Sequence, residues 1–346
     1  MTPYAGVLLV YLLLKRGCAA SAAPREGTGD APMATMLTTA QQVELLKQDG
    51  VKFELCSEED AVCFMQTQAN YFKLQPYTRL FERCRYGPNA GKFYSLDFEQ
   101  LRCAVRLDQE LMTLLFQITH AIERCHKVEI TEQLAAHGED DCGITQEYFA
   151  SLNATYRTQR ERELANALGS SLGACYPAVD RGHPAIDAFL EFASFGTLID
   201  FTRFCALRWN DKALKSRHYD LKGAKALRNC VAHDLCIIPL FALPNRSKLT
   251  VGTHIYASIT KAGVTPMARD KWVKRAGMRE IAITLVVYSQ ITSCDKAGFA
   301  AQTSFETLFN KLDSLSSLFP ANGPNATLWA ALNFMKELTY GLNLIV

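Results

Sequence analysis

The segment KALRNCVAHDL (225–235) sets Arg228, Asn229 and His233 in a run that is otherwise largely apolar, with Leu227, Val231, Ala232 and Leu235 among them. Polar groups in such a run are costly to bury without partners. If the segment is helical, Asn229 and His233 stand one turn apart on one face, and Arg228 lies about 100° round the helix from Asn229. These residue types suit phosphodiester chemistry on RNA. An imidazole ordinarily titrates near neutrality, so it can take the proton of a 2′-hydroxyl or return one to a leaving 5′-oxygen. A guanidinium can grip the phosphate through two hydrogen bonds and stabilise the charge that develops on it. Asn229 can fix the imidazole or hold the phosphate. No metal and no cofactor is expected. The plain alternative is a core histidine held by Asn229 or Asp234, and an R-x-x-x-x-H spacing alone does not separate the two.

A basic stretch leads into this segment. Arg203, Arg208, Lys212, Lys215, Arg217, Lys222, Lys225 and Arg228 are opposed only by Asp211 and Asp220, and Trp209 and Tyr219 are interleaved with them. A charge run by itself is a solvated helix face. Beside a polar constellation it becomes a candidate RNA- or phosphate-binding surface, with Arg203 to Lys225 as its contacts. A second constellation, HAIERCH (120–126), places His120, Glu123 and His126 at three-residue steps. His120 and Glu123 could share a metal, but His126 is splayed away, so a helix-surface or helix-pairing role is expected instead. No phosphate-binding glycine loop and no G-x-S-x-G elbow occurs.

The elements that must position these residues are helices. Thr38 or Thr39 can cap a helix ending at Gly50, and Ser57 can cap one whose first turn is Glu58, Glu59 and Asp60. The sequence over 85–93 is a loop by its Gly, Pro and Asn content. Leu101, Val105, Leu107, Leu111, Leu114, Leu115, Ile118 and Ile122 recur at helical steps and predict one long helix over about 96–136, ending at Gly138. Further helices are expected at 145–153, 157–168, 184–194 (with Pro184 in the first turn), 197–209, 222–235, 267–292, 302–317 and 326–340. Residues 237–265 are expected to form a long loop or small hairpin. The class is all-α, a bundle with helical extensions at both ends.

With 346 residues, 49% hydrophobic, 21% charged and a net charge of +2, the composition is that of a globular chain and announces no nucleic-acid or membrane partner through global charge. The twelve cysteines include no C-x-x-C pair. Cys56, Cys63, Cys84, Cys103, Cys125 and Cys205 are expected to act as small buried hydrophobes in a reducing, cytoplasmic setting. GVLLVYLLL (6–14) is too short to span a bilayer, and its Lys15 and Arg16 follow the apolar run rather than precede it. Residues 1–35 are expected to be a misassigned start, with Met33 or Met36 as the natural one, or else a weak signal-like stretch. A secreted or lipid-anchored structural protein would rest on residues 1–23 alone.

Several segments, in order, carry a resemblance. RNCVAHD (228–234) resembles the R-N-x-x-x-H signature of HEPN domains. LTTAQQVELLKQDGVKF (37–53), NYFKLQPYTRLF (70–81), DFEQLRCAVRLDQELM (97–112) with AIERCHK (121–127), LEFASFGTLIDFT (190–202) and ALRNCVAHDL (226–235) are similar to successive blocks of the abortive-infection (AbiD/AbiF-type) proteins. The likeness covers about 37–236. Lys127, Leu107 and Met112 depart from the usual arginine, phenylalanine and arginine of those blocks, and DLCIIP follows His233 in place of an Arg- and Trp-containing stretch. The resemblance implies a HEPN-type helical domain over 36–236, with 237–346 as a loop or hairpin and helical extension packed on it. It implies an endoribonuclease of an anti-phage, toxin-type system that cuts host or phage RNA. Arg228 and His233 would be the catalytic pair, Asn229 their support, and Glu191 and Ser194 accessory residues, although helix packing around Phe195 and Gly196 explains those two equally. It also implies a composite site between two copies in a homodimer, and an antitoxin or non-coding RNA as a further partner. The alternative is a HEPN-fold module that binds RNA or an antitoxin without cutting.

Overall fold

In a computed structural model, residues 36–171, 173–176, 184–244, 250–292, 298–319 and 326–345 are described. The reading of residues 1–35 lies outside them. Thr38 caps α1 (Thr39–Gln48) through a capping box with Gln41, and Gly50, at φ +90°, ends that turn. β1 (Val51–Lys52) follows. Ser57 caps α2 (Glu58–Thr67), whose first turn is acidic. Asn70 caps the short α3 (Tyr71–Leu74), and a 3₁₀ turn at Gln75–Leu80 continues from it.

β2 (Leu96–Asp97) pairs in parallel with β1, Val51 opposite Leu96 and Lys52 opposite Asp97. This two-stranded ribbon is the one sheet among the described residues. Asp97 then opens α4 (Phe98–Ala136), a helix of 39 residues. One carboxylate oxygen of Asp97 caps Glu99 N–H at 2.9 Å, and the other accepts Glu54 and Leu55 N–H at 2.8 and 3.2 Å. The predicted helix over 96–136 is therefore present, with Gly138 past its end at φ +65°.

α5 (Asp141–Ser151), α6 (Ala154–Leu168), α7 (Ile186–Phe192) and α8 (Phe195–Arg208) come next. Pro184 lies before the Ala185 cap of α7 rather than in its first turn. α9 (Lys212–Ala232) begins ten residues earlier than the predicted 222, because Asp211 caps it by accepting Ala213 and Leu214 N–H at 2.7 and 3.0 Å. Residues 237–265 are not a loop or hairpin throughout. A 3₁₀ turn covers Ile238–Ala242, and α10 (Thr253–Lys261) buries Ile255 and Ile259. The single helix expected over 267–292 is two, α11 (Pro266–Val273) and α12 (Met278–Ile291). Gly277 at φ +74° breaks the chain between them, where the Ala276 amide bonds Leu243 O at 3.0 Å. α13 (Gly298–Ser314) and α14 (Thr327–Gly341) complete the all-α fold.

α9 is the centre of the packing. It lies against α8, α12 and α4, while α12 also packs on α4. All residues of α12 from Met278 to Tyr288 except Glu280 are buried. Gly223 makes the α9–α12 approach close: a Cβ there would stand 3.1 Å from Ile283 Cγ2. Truncating Ile283 to alanine is expected to destabilise by about 2–5 kcal/mol, the range for a large-to-small core change, read as a shift in the urea midpoint. Cys56, Cys103 and Cys205 are buried as expected, but Cys63 is exposed and Cys84 and Cys125 are half-buried. Among the described residues, no helix is long and apolar enough to cross a membrane.

Candidate active site

α9 buries Leu214, His218, Asp220, Leu221, Gly223, Ala224 and Leu227, and these cover most of its circumference. The remaining stripe carries Lys212, Lys215, Tyr219, Lys222, Ala226 and Asn229 at steps of three and four, and runs into His233. Lys212, Lys215, Tyr219 and His233 are exposed, while Lys222 and Asn229 are half-buried. The Lys222 ammonium lies 5.1 Å from the Tyr219 ring centre. A lysine–tyrosine track about 30 Å long thus ends at the imidazole.

His233 is the C-cap of α9, and its backbone N–H bonds Asn229 O at 3.2 Å. Its side chain is in solvent, so it is not a core histidine. Asp234, the other candidate partner, turns instead to Lys73. Among the described residues, the side chains of Arg228, Asn229 and His233 make no hydrogen bond or ion pair to protein. Arg228 is half-buried. On an ideal helix it lies about 140° round from His233, so one chain presents the two groups toward different sides.

The other basic residues do not form one surface. Arg203 is exposed on α8. Arg208 is spent on Glu139, at 2.7 Å, and on Glu147. Arg217 is half-buried near Asp220 and Glu129, with one guanidinium nitrogen buried and unpaired. The Lys225 ammonium fills the space where a Cβ on Gly196 would stand, and burial pushes its pKa down. Only Lys212, Lys215 and Lys222 share the track with His233. Trp209 is packing: His137 stacks on it at 4.2 Å, and its indole N–H donates to Glu139 at 2.7 Å.

Ser194 is a helix cap. Its Oγ accepts the Thr197 N–H at 3.2 Å. Glu191 is exposed; its carbonyl accepts Lys127 Nζ at 2.9 Å and its carboxylate accepts the Tyr176 hydroxyl at 3.3 Å. The α8–α9 hairpin sets the start of α8 beside Lys225, one turn before Arg228. Ser194 therefore stands near the motif's end of the hairpin, whereas Glu191 belongs to α7. His126 is fully buried between Glu129 and Thr202, each at 2.9 Å, which pairs α4 with α8. His120 stacks on the exposed Phe116. Among the described residues no three His, Cys, Asp or Glu side chains are grouped to hold a metal.

The turn after His233 carries contacts that the sequence reading did not find. Asp234 is left-handed at φ +52°. Leu235 N–H returns to Cys230 O at 2.9 Å and Asp234 N–H to Val231 O at 3.2 Å, the paired bonds of a Schellman ending. Lys73 Nζ bonds the Asp234 carbonyl at 3.0 Å and also its carboxylate. Behind the turn, the fully buried Asp108 accepts the Tyr77 hydroxyl at 2.6 Å and the Ile237 and Ile238 amides at 3.0 and 3.1 Å. Burial pushes the Asp108 carboxyl up to about 6 even against these three donors. In front of the turn, Gln109, Met112, Thr113 and Phe116 of α4 face Val231 and Asp234 across a shallow groove. Elsewhere on α9, Ser216 and Asp220 hold His254 between them at 3.4 and 2.7 Å and fasten α10.

A family model described as Abi-like protein matches residues 65–238, half of the chain. The matched stretch runs from the end of α2 through α9 to the first residue of the Ile238–Ala242 turn, so it contains Lys73, Tyr77, Asp108, Arg228 and His233. No curated protein and no solved structure matches the chain.

Proposed function

We propose, from the premise that this chain belongs to the Abi-like protein family, that it is a metal-independent endoribonuclease of the HEPN type, cutting host or phage RNA in an abortive-infection response. The observation that carries this reading is His233: exposed, free of partners among the described residues, and at the end of the lysine–tyrosine track of α9. The track offers phosphates to Lys212, Lys215 and Lys222 and a ring face to a base at Tyr219. At the scissile phosphate the 2′-oxygen attacks phosphorus as its proton passes to an imidazole. The 5′-oxygen leaves with a proton from a second imidazole, and the products are a 2′,3′-cyclic phosphate and a 5′-hydroxyl. Arg228 stabilises the extra charge on the phosphoryl oxygens, and Asn229 holds the phosphate.

One chain supplies one His233, and its Arg228 points to another side. A C2 homodimer brings two of each to one phosphate. Dimers mixed from wild-type and His233→Ala chains are therefore expected to lose much more than half of their activity, since every mixed site lacks one imidazole. Activity that tracks the wild-type fraction would mean that each chain carries its own site. The reading of the track has its own test. Replacing Lys212, Lys215 and Lys222 together by alanine should flatten the salt dependence of RNA affinity by about 2 in the log–log slope, since each single-strand phosphate contact contributes roughly 0.7. An unchanged slope would remove RNA from the track.

The second reading is a HEPN-fold module that binds RNA or an antitoxin without cutting. What favours it is the divergence of Arg228 and His233 within one chain. It predicts RNA binding by the track with no cleaved ends under any condition.

A further inference from the structure

We propose that Tyr77, Asp108 and Lys73 are positioning residues for His233, acting as a two-level clamp on the turn that His233 caps; the inference rests on the reading of His233 as the acid–base group. The need for a clamp follows from where His233 sits. It is the residue that caps the end of its helix, exposed, and without a side-chain partner among the described residues. A helix end in that situation frays, and a frayed end cannot hold an imidazole within hydrogen-bond reach of a reacting oxygen. This end is held from both directions instead.

The deeper level is buried. Asp108 projects from the first third of α4, and its carboxylate gathers the Tyr77 hydroxyl and the two amides of Ile237 and Ile238. Those amides lie four and five residues past His233, so the chain leaving the helix is fixed to α4. The 3₁₀ turn containing Tyr77 packs on the 3₁₀ turn that begins at Ile238, which closes the same junction with apolar contact. The outer level is Lys73. It bonds both the carbonyl and the carboxylate of Asp234, the residue next to His233. Two segments far apart in sequence, the Lys73–Tyr77 stretch and α4 at Asp108, thus meet on the few residues after the imidazole. A burial role alone explains Tyr77 and Leu74; it does not explain a buried carboxylate aimed at two loop amides or a lysine aimed at the left-handed residue beside His233.

The test separates the two levels. Asp234→Gly keeps a residue suited to the left-handed position and removes the carboxylate that Lys73 holds. Asp108→Asn disturbs the buried level, and Lys73→Met and Lys73→Arg remove and restore the outer cation. Each full-length variant is compared at a temperature where circular dichroism shows it folded. Two readouts are taken: cleavage of a fluorescein-labelled mixed-sequence RNA oligonucleotide in EDTA, and the His233 ring signal with amide exchange at residues 235–238 by NMR. We expect kcat to fall at least tenfold with KM little changed for Asp108→Asn and Asp234→Gly, with Lys73→Arg recovering most of what Lys73→Met loses. The His233 signal should broaden or split, and exchange at 235–238 should quicken tenfold or more. Folded variants with unchanged kcat, a single sharp His233 signal and unchanged exchange would overturn the clamp and leave these residues as packing. If the wild-type protein cuts no RNA, the ribonuclease reading fails by itself, and the clamp stands or falls on the NMR readouts.

Discussion

Replacing His233 by alanine is expected to lower RNA cleavage by roughly 10²- to 10⁴-fold, the loss that follows removal of a general acid–base group. The same change should leave the melting temperature within about 2 °C, because an exposed side chain without partners among the described residues contributes little to stability. This pairing of a large kinetic effect with a negligible thermal one is the signature of a functional rather than a structural histidine. Arg228→Ala should lower cleavage by a similar factor. Arg228→Lys should recover only part of the activity, since an ammonium cannot reproduce the two-pronged grip of a guanidinium on phosphate. A His233→Ala protein that cuts at the wild-type rate would show that the imidazole is a bystander, and a large drop in its melting temperature would point to a structural role.

Asp108 should give the largest loss of stability. Asp108→Ala leaves the Tyr77 hydroxyl and the amides of Ile237 and Ile238 without their acceptor in the interior. Uncompensated buried donors of this kind are expected to destabilise by about 3–5 kcal/mol in total, read as a lower urea midpoint. The pH dependence has a definite sign. The carboxyl is raised to about 6 in the folded protein, from an ordinary 3.8. Between these values the folded state holds a proton that the unfolded chain has released. Stability from this group is therefore present below about pH 4 and lost as pH rises through about 6, by roughly 3 kcal/mol. Glu129, Glu139 and Glu163 have lowered values and slope the other way at more acid pH. The Asp108 part is accordingly taken as the difference between wild type and Asp108→Asn across pH 4–7. Parallel curves for the two proteins would mean that Asp108 does not titrate in this range.

The scaffold was legible where capping chemistry and apolar spacing agreed. The repeating leucines and isoleucines and Gly138 mark α4, and Thr38, Gly50 and Ser57 mark α1 and α2 equally well. The reading failed where these signals diverged. Asp211 was available as a cap for α9, but the lysine-rich turn behind it reads as a charge run rather than as the start of a mostly buried helix. α10 has no side-chain cap at Gly252, and its Thr253, Ile255, Ile259 and Thr260 are β-branched, so weak local preference hid a helix that packing supports. The break before α12 falls at Gly277, a lone glycine in an otherwise helical pattern, and the bond from Ala276 to Leu243 that fixes it comes from across the fold.

The candidate site divides along the same line. The residue types and order of Arg228, Asn229 and His233 could be read directly, because one helix end carries all three. Their exposure could not, since it depends on which faces of α9 are taken by α4, α8 and α12. The basic residues illustrate this most clearly: neighbours in sequence, they separate into a track, an ion-paired arginine and a half-buried lysine once partners on other helices are in place. Asp108 did leave a trace, as a charge between Leu107 and Leu111 on the buried stripe of α4. Its partners, Tyr77 and Ile237, lie 31 and 129 residues away, and a separation of that size carries no periodic signal.

The most direct test of the central claim is the cleavage chemistry itself. Purified full-length protein is incubated with a labelled single-stranded RNA in EDTA, beside the His233→Ala variant, and the ends of the fragments are identified. The expected result is wild-type cleavage that leaves 2′,3′-cyclic phosphate and 5′-hydroxyl ends, and intact RNA with the variant. Fragments ending in 3′-hydroxyl and 5′-phosphate, an absolute requirement for Mg²⁺, or equal cleavage by both proteins would contradict it.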